Sequence, residues 1–246
     1  MANLTFMNNT IFDHGARNQL GQVLAMHGIR RPLLCTDKGL VNLGMVTDLV
    51  SHLGNDAALT VFDGTPENPT QMAVEEAVAA YQEAGCDGVV ALGGGSSMDL
   101  AKAVALAVTH EEDLLQYTAG LGGAGKIGTV APLIAIPTTS GTGSEVSSGA
   151  VIIMNNGEKL ILASRNLVPM TSICDPSLTL GLPPLLTAAT GMDAMTHCIE
   201  ALLSPQINPP AEAVACDGIE RGIREGNLVE AGKDGSDGDA RWHMMM

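Results

Sequence analysis

The sequence predicts an α/β protein. A parallel sheet covered by helices fills residues 1–180, and the start of an all-helical region follows over 181–246. Three observations carry this reading. Short apolar runs alternate with amphipathic segments, the pattern of a parallel sheet with helices on both faces. One such run, Gly88-Val89-Val90-Ala91-Leu92, passes directly into Gly93-Gly94-Gly95 and a helix. Beyond Leu180 only helical spacing remains.

The elements follow in order. A lead-in strand is expected within 4–12 and a first helix over 16–27. Leu33-Leu34-Cys35-Thr36 reads as a strand that stops at Asp37, and 39–53 is helical in pattern. Residues 59–62 form a further strand, 63–70 a loop, and 71–84 a helix of alternating apolar and acidic residues. Residues 88–92 have the length and branching of a buried strand. The helix after the glycines carries Met98, Ala101, Val104, Ala105 and Val108 at helical spacing, and Ser96 and Asp99 stand at the spacing of a capping box. A glycine-rich loop over 120–128 precedes a strand over 130–136. Residues 151–154 and 159–162 read as a hairpin around Asn155-Asn156-Gly157, where Asn-Gly suits a tight turn. Residues 172–175 are the last strand. Pro183-Pro184 opens a helix from Leu182 to Leu203, and 227–239, rich in Gly and Asp, reads as a flexible loop.

Composition narrows the function classes. The 246 residues are 46% hydrophobic but only 2% aromatic, so a sizeable core must be built from Ala, Val, Leu, Ile and Met. A net charge of −15 argues against nucleic acid or an anionic membrane surface as partner. A local phosphate site built from amides and one or two lysines remains compatible with it. The cysteines, Cys35, Cys86, Cys174, Cys198 and Cys216, are odd in number and contain no Cys-x-x-Cys, as expected of reduced thiols in a cytoplasmic protein. No basic leader is expected at the N-terminus, and no run approaches the ~18 apolar residues of a membrane span.

Several residues have the chemistry of a site. The glycine loop leads into a helix N-terminus, whose bare N–H groups and roughly half a positive charge suit a phosphate. Ligands of such sheets lie beyond the carboxyl ends of the strands, where Asp37, Asn68 and the glycine loop all stand. A carboxylate after an early strand accepts bonds from both hydroxyls of an adenosine ribose and repels a 2′-phosphate, which favours NAD over NADP. Asp37 equally suits a helix N-cap, and the two roles are compatible. The loop Pro137-Thr138-Thr139-Ser140-Gly141-Thr142-Gly143-Ser144 sets hydroxyls at another strand end. It fits a nucleotide or an ordinary connector. Asp193 and His197, four residues apart, share one helix face and can converge on one ion. They are expected to be buried among Met192, Ala194, Met195, Cys198 and Ile199, where they hold a metal, bond each other, or, in the case of His197, form a satisfied core histidine.

Taken together, GGGSSMD at 93–99, IPTTSGTGSEV at 136–146 and ATGMDAMTHCIEA at 189–201 resemble the iron-containing (group III) alcohol dehydrogenases. The resemblance runs from Thr36 to Glu220. It implies an NAD-binding α/β domain over 1–180 and a partial, truncated helical metal-binding domain over 181–246. By position, Asp37 matches the ribose-binding acid and Asn68 the Asn-Pro-Thr segment beside the cofactor. Gly94, Gly95 and Ser96 match the pyrophosphate cradle, with Asp99 in the same motif. Thr138, Thr139 and Thr142 match residues near adenine and phosphates, and Lys159 a lysine that reaches the cofactor. Asp193 and His197 match the first two metal ligands. Iron(II), or zinc, is the metal implied.

The family uses two more histidines downstream. Only His243 follows His197, and it reads as a helix-surface residue; His14, His27, His52 and His110 match no ligand position. With two ligands, metal affinity should fall, and the helix from Leu182 should expose an apolar face. The resemblance implies NAD-dependent hydride transfer with a primary alcohol or aldehyde. The alternatives are a non-catalytic nucleotide-binding remnant and a metal-free reductase relative, against which the intact Asp193–His197 pair argues. A homodimer through the lead-in strand is also expected.

Overall fold

A computed structural model describes residues 8–53 and 58–246. Six parallel strands form one sheet in the order β1 (Asn9–Phe12), β8 (Thr171–Cys174), β5 (Leu133–Pro137), β4 (Gly88–Gly93), β2 (Pro32–Cys35) and β3 (Thr60–Phe62). The part of the expected lead-in strand before Asn8 lies outside the described residues. A separate antiparallel hairpin joins β6 (Gly149–Ile153) to β7 (Lys159–Ala163), with Gly157 at φ +84° in its turn.

Alternation along the central strands builds two cores. Leu33, Val89, Ala91, Leu133 and Ala135 face the side covered by α4 (Gln71–Glu83), α5 (Gly95–Ala107) and the hairpin. Leu34, Val90, Leu92, Ile134, Ile136 and Ile173 face α1 (Leu20–Met26) and α3 (Met45–Ser51). A strand buried on both faces must be apolar at every position, and every residue of β4 is buried.

Several elements differ from the sequence reading. The first helix opens as a 3₁₀ turn over Ala16–Gln19 before α1. The single helix expected over 39–53 is two, α2 (Lys38–Asn42) and α3, because Gly44 at φ +77° turns the chain between them. The strand expected from Val130 begins at Leu133. The loop expected over 227–239 is largely helical, as α8 (Asn227–Lys233) and α9 (Gly238–Met245). There the fully buried Ala231, and the approach of Leu228 to Gly191, outweigh the weak propensity of Gly and Asp.

α6 (Pro184–Leu203) and α7 (Pro209–Ile223) pack closely through glycines. A Cβ at Gly218 would lie 2.7 Å from the Cys198 sulfur, and one at Gly222 would lie 2.3 Å from that of Met195. Leu185, Leu186, Met192, Ile199, Leu202 and Leu203 of α6 stand exposed, the apolar face expected of this helix. No helix among the described residues is long and apolar enough to cross a membrane.

The start of the fold is pinned by Asp175. This buried carboxylate accepts from the N–H groups of Gly15, Arg17 and Ser177 and from Arg17 Nη1 at 2.7 Å. Burial alone would raise its pKa, but Arg17 and the three amides outweigh it and hold the carboxyl below its usual range. Asp175→Asn is therefore expected to cost about 2 kcal/mol at pH 7. A depressed carboxyl stabilises fully above its ordinary value of about 3.9 and loses that contribution as pH falls through the folded value. In denaturant unfolding the gap between wild type and variant should narrow at pH 3, and a gap independent of pH would contradict this.

Candidate functional site

The carboxyl ends of β2, β4 and β5 all open on one edge of the sheet. β4 ends in Gly93 at φ +148°, and α5 begins at Gly95 with Gly94 as its cap residue. The capping box expected of Ser96 and Asp99 does not form. Ser96 lies inside the first turn and donates its hydroxyl to the Glu67 carbonyl, while Asp99 turns to a different loop. The glycine cap leaves the first-turn amides of α5 without a capping side chain.

The loop after β5 closes over this end of the helix. The Thr138 N–H donates to Gly93 O at 3.0 Å. A Cβ at Gly94 would lie 3.5 Å from the Thr139 side chain, and one at Gly95 only 3.0 Å from that of Thr142. The Thr139 and Ser140 hydroxyls are buried with no hydrogen-bond partner. Asp37 caps α2, accepting from the Leu40 N–H at 3.0 Å. Its N-cap role is thus realised.

Across the cleft, Lys159 of β7 donates to Asn68 Oδ1 at 3.1 Å. The cleft encloses about 560 Å³ and is lined by Asn68, Gly95, Ser96, Asp99, Thr142, Lys159, Asp193 and His197 among others. The structure therefore brings most of the sequence-derived residues to one space. Asp37, Gly94, Thr138 and Thr139 stand outside that lining, Asp37 after β2, Gly94 at the cap of α5 and the two threonines after β5.

Beneath the cleft lies a group that the sequence reading missed. Lys102 is fully buried, and its Nζ donates to Ser144 Oγ, Ser147 O, Ser147 Oγ and Gly149 O at 2.7–3.0 Å. Ser144 in turn donates to Asp99 at 2.7 Å, and Val151 N–H donates to the other Asp99 oxygen at 2.9 Å. Burial raises the Asp99 pKa, against bonds from Ser144 and Val151 that lower it. The signal was present: beyond its first turn α5 is apolar except for Asp99 and Lys102, three apart, and a buried lysine needs acceptors.

Asp193 and His197 do share one face of α6, with His197 Nε2 3.6 Å from Asp193 Oδ1. His197 Nδ1 lies 3.3 Å from the Gly141 carbonyl. A bond there would leave Nε2 free to accept, the usual arrangement of a ligating histidine. The expected burial is not found, since the two side chains are 45% and 50% exposed. The 138–143 loop reaches this face at Thr190 and His197 but leaves both side chains open to the cleft.

The residues fit a dinucleotide and a metal unequally. The side-chain-free helix end and the unpartnered Thr139 hydroxyl match what a pyrophosphate-containing ligand would take up. For a divalent metal the described residues bring together no group of three His, Cys, Asp or Glu side chains. Asp193 and His197 alone do not fit a resident ion.

Fold and site define an α/β protein with a cleft at the carboxyl edge of a parallel sheet, bordered by a bare helix N-terminus and by the Asp193–His197 pair of α6. Residues 8–176 match the iron-containing alcohol dehydrogenase model, and 187–246 match the C-terminal part of the Fe-containing alcohol dehydrogenase family. The chain belongs to the iron-containing alcohol dehydrogenase family. It is 51% identical to 4-hydroxybutyrate dehydrogenase of Cupriavidus necator, over 100% of this chain and 64% of that protein. Among solved structures, 1,3-propanediol oxidoreductase superposes with a TM-score of 0.92 at 35% identity, over 100% of this chain and 63% of the other. Sulfoacetaldehyde reductase from Bifidobacterium kashiwanohense, in complex with NAD+, gives 0.93 at 29%, over 100% and 64%. The chain thus spans under two thirds of the length of these relatives.

Gly141 sets how closely the loop approaches α6. A Cβ there would lie 2.3 Å from the Thr190 carbonyl oxygen, a backbone atom. Gly141→Ala should force loop and helix apart and cost about 1–3 kcal/mol in thermal or denaturant unfolding. Unchanged stability would show that this approach is not kept in solution.

Proposed function

We propose that this chain carries the cofactor-binding part of an NAD-dependent alcohol dehydrogenase of the iron type, acting between a primary alcohol and its aldehyde. The observation that carries the reading is one cleft that joins a bare helix N-terminus, Thr142 of the loop after β5 and the Asp193–His197 pair. Similarity to 4-hydroxybutyrate dehydrogenase supports a primary alcohol as substrate class.

Bound NAD would supply the hydride acceptor. The residues of this chain would bind and orient it. The amides of Gly94, Gly95 and Ser96 would meet the pyrophosphate, and the hydroxyls of Thr138, Thr139 and Thr142 the phosphates and adenine. Asp37 would hold the ribose hydroxyls and repel a 2′-phosphate. Asn68 and Lys159 would border the cofactor across the cleft, and Asp99 would do so from α5 itself.

Asp193 and His197 would be two of the ligands for iron or zinc in a whole enzyme. Two donors hold such an ion weakly, and the described residues offer no third beside them. That observation favours a second reading of this chain by itself, namely NAD binding without turnover. The wider reading adds a cytoplasmic protein with neither nucleic acid nor membrane as partner, in keeping with its charge of −15 and its free cysteines. β1 at the sheet edge, paired to β8, supports a homodimer.

The test is fluorescence titration with NADH, without and with Fe(II). Saturable binding that iron does not change is expected. Absence of saturation would overturn the cofactor reading, and iron-tightened binding with alcohol-dependent NADH formation would overturn the reading without turnover. Asp37→Gly should weaken NAD at least tenfold more than NADP, about 1.4 kcal/mol, and equal losses would remove the ribose role. Thr139→Val removes an unpartnered buried hydroxyl. It should leave the ligand-free chain as stable or more stable while weakening NADH. A loss of stability without loss of affinity would contradict the assignment.

A further inference from the structure

The buried lysine under the cleft makes more contacts than a packing residue needs. Lys102 reaches two hydroxyls and two main-chain carbonyls of the 144–149 segment. Through Ser144 it is joined to Asp99, whose second oxygen holds the Val151 N–H of β6. The same helix that presents the glycine end to the cleft thus also grips the segment entering the hairpin. The hairpin carries Lys159, which meets Asn68 on the far wall. Asp99, Ser144, Ser147 and Gly149 are themselves cleft-lining residues.

We propose that Lys102 is a positioning residue: as an ammonium ion it draws the 144–149 segment and the hairpin onto α5 and so holds the cofactor cleft in its binding shape. An ammonium has three protons and no lone pair, which suits four acceptors. A neutral amine has one proton fewer and turns a lone pair towards them. Loss of the proton therefore releases part of the grip.

The charges around it are few. Asp99 on its own helix and Glu145 on the gripped loop favour the ammonium, and Lys159 of the hairpin acts on Asp99. Burial works against them and is the larger influence, bringing Lys102 down to about 8. The grip then weakens within an accessible pH range. NADH, if it binds the gripped form, must in return favour the proton on Lys102. Overall stability moves the other way. A lysine with a folded pKa below its unfolded value of about 10.4 leaves the unfolded chain with more bound protons, so this group adds stability as pH rises from about 8 towards 10.

The binding readout rests on the cofactor reading above, so the experiment has a second readout that does not. NADH affinity is measured from pH 6.5 to 9.5 on the full chain. In the same samples, amide hydrogen exchange is followed at Gly149 and Val151, corrected for the intrinsic rise of exchange with pH. Wild type should lose affinity and amide protection together, with a midpoint near pH 8. Lys102→Met should bind at least tenfold more weakly at pH 6.5, with a flat pH profile. Burial raises the Glu145 carboxyl; in its ionised form it favours the ammonium, so Glu145→Gln should bring the midpoint below that of wild type. That variant also serves if Lys102→Met fails to fold. Should the chain not bind NADH at any pH, the cofactor reading falls while the exchange midpoint still tests Lys102. Protection independent of pH near 8, or a midpoint raised in Glu145→Gln, would overturn the proposal. A merely structural lysine would lower the melting temperature of Lys102→Met and leave the affinity of the folded protein and its pH profile unchanged.

Discussion

The structure depends on one requirement placed on α5. Its body must be buried between the sheet and the hairpin, while its first turn must stay bare and open to the cleft. The body meets the requirement with Met98, Leu100, Ala101, Val104 and Leu106, all buried. The first turn meets it with glycine, and at 95 a Cβ would already lie 3.0 Å from the Thr142 side chain. Lys102 is the exception within the apolar body. A cation so deep is tolerable only where acceptors surround it, and those acceptors come from the segment that forms the floor of the cleft. Burial of the helix and the shape of the cleft are thus tied together.

Much of this was legible in the sequence because local pattern and tertiary role coincide. A parallel strand buried on both faces is apolar throughout, so β4 and β5 stand out. Gly93-Gly94-Gly95 has few uses other than a close turn. What was not legible depends on partners distant in sequence. Lys102 bonds residues 42–47 positions away, and its spacing from Asp99 tells nothing of them. Ser96 and Asp99 have the spacing of a local cap, yet the better acceptors and donors come from Glu67, Ser144 and Val151, so the cap is not made. α8 is helical because Ala231 and Leu228 find a surface to pack on, against a composition that favours a loop.

The candidate site is uneven in the same physical sense. On the side of the glycine end, the walls are joined by hydrogen bonds between separate elements, as in Thr138 to Gly93 and Lys159 to Asn68. On the α6 side, Asp193 and His197 have the spacing of a ligand pair but remain half exposed, on a helix that also exposes Met192, Ile199, Leu202 and Leu203. The spacing of the pair was readable, whereas its burial was not, because burial depends on what packs over α6. A protein of net charge −15 can still attract an anion here, since the helix end acts over only its first turn.

The central claim is that the glycine end of α5 receives the pyrophosphate of a dinucleotide. It is tested most directly by amide chemical-shift mapping of the ¹⁵N-labelled chain during titration with NAD+. The account predicts that the largest saturable shifts fall on Gly94, Gly95 and Ser96 and on residues 138–142. Shifts confined to α6 and α7, with the glycine end unmoved, would contradict it.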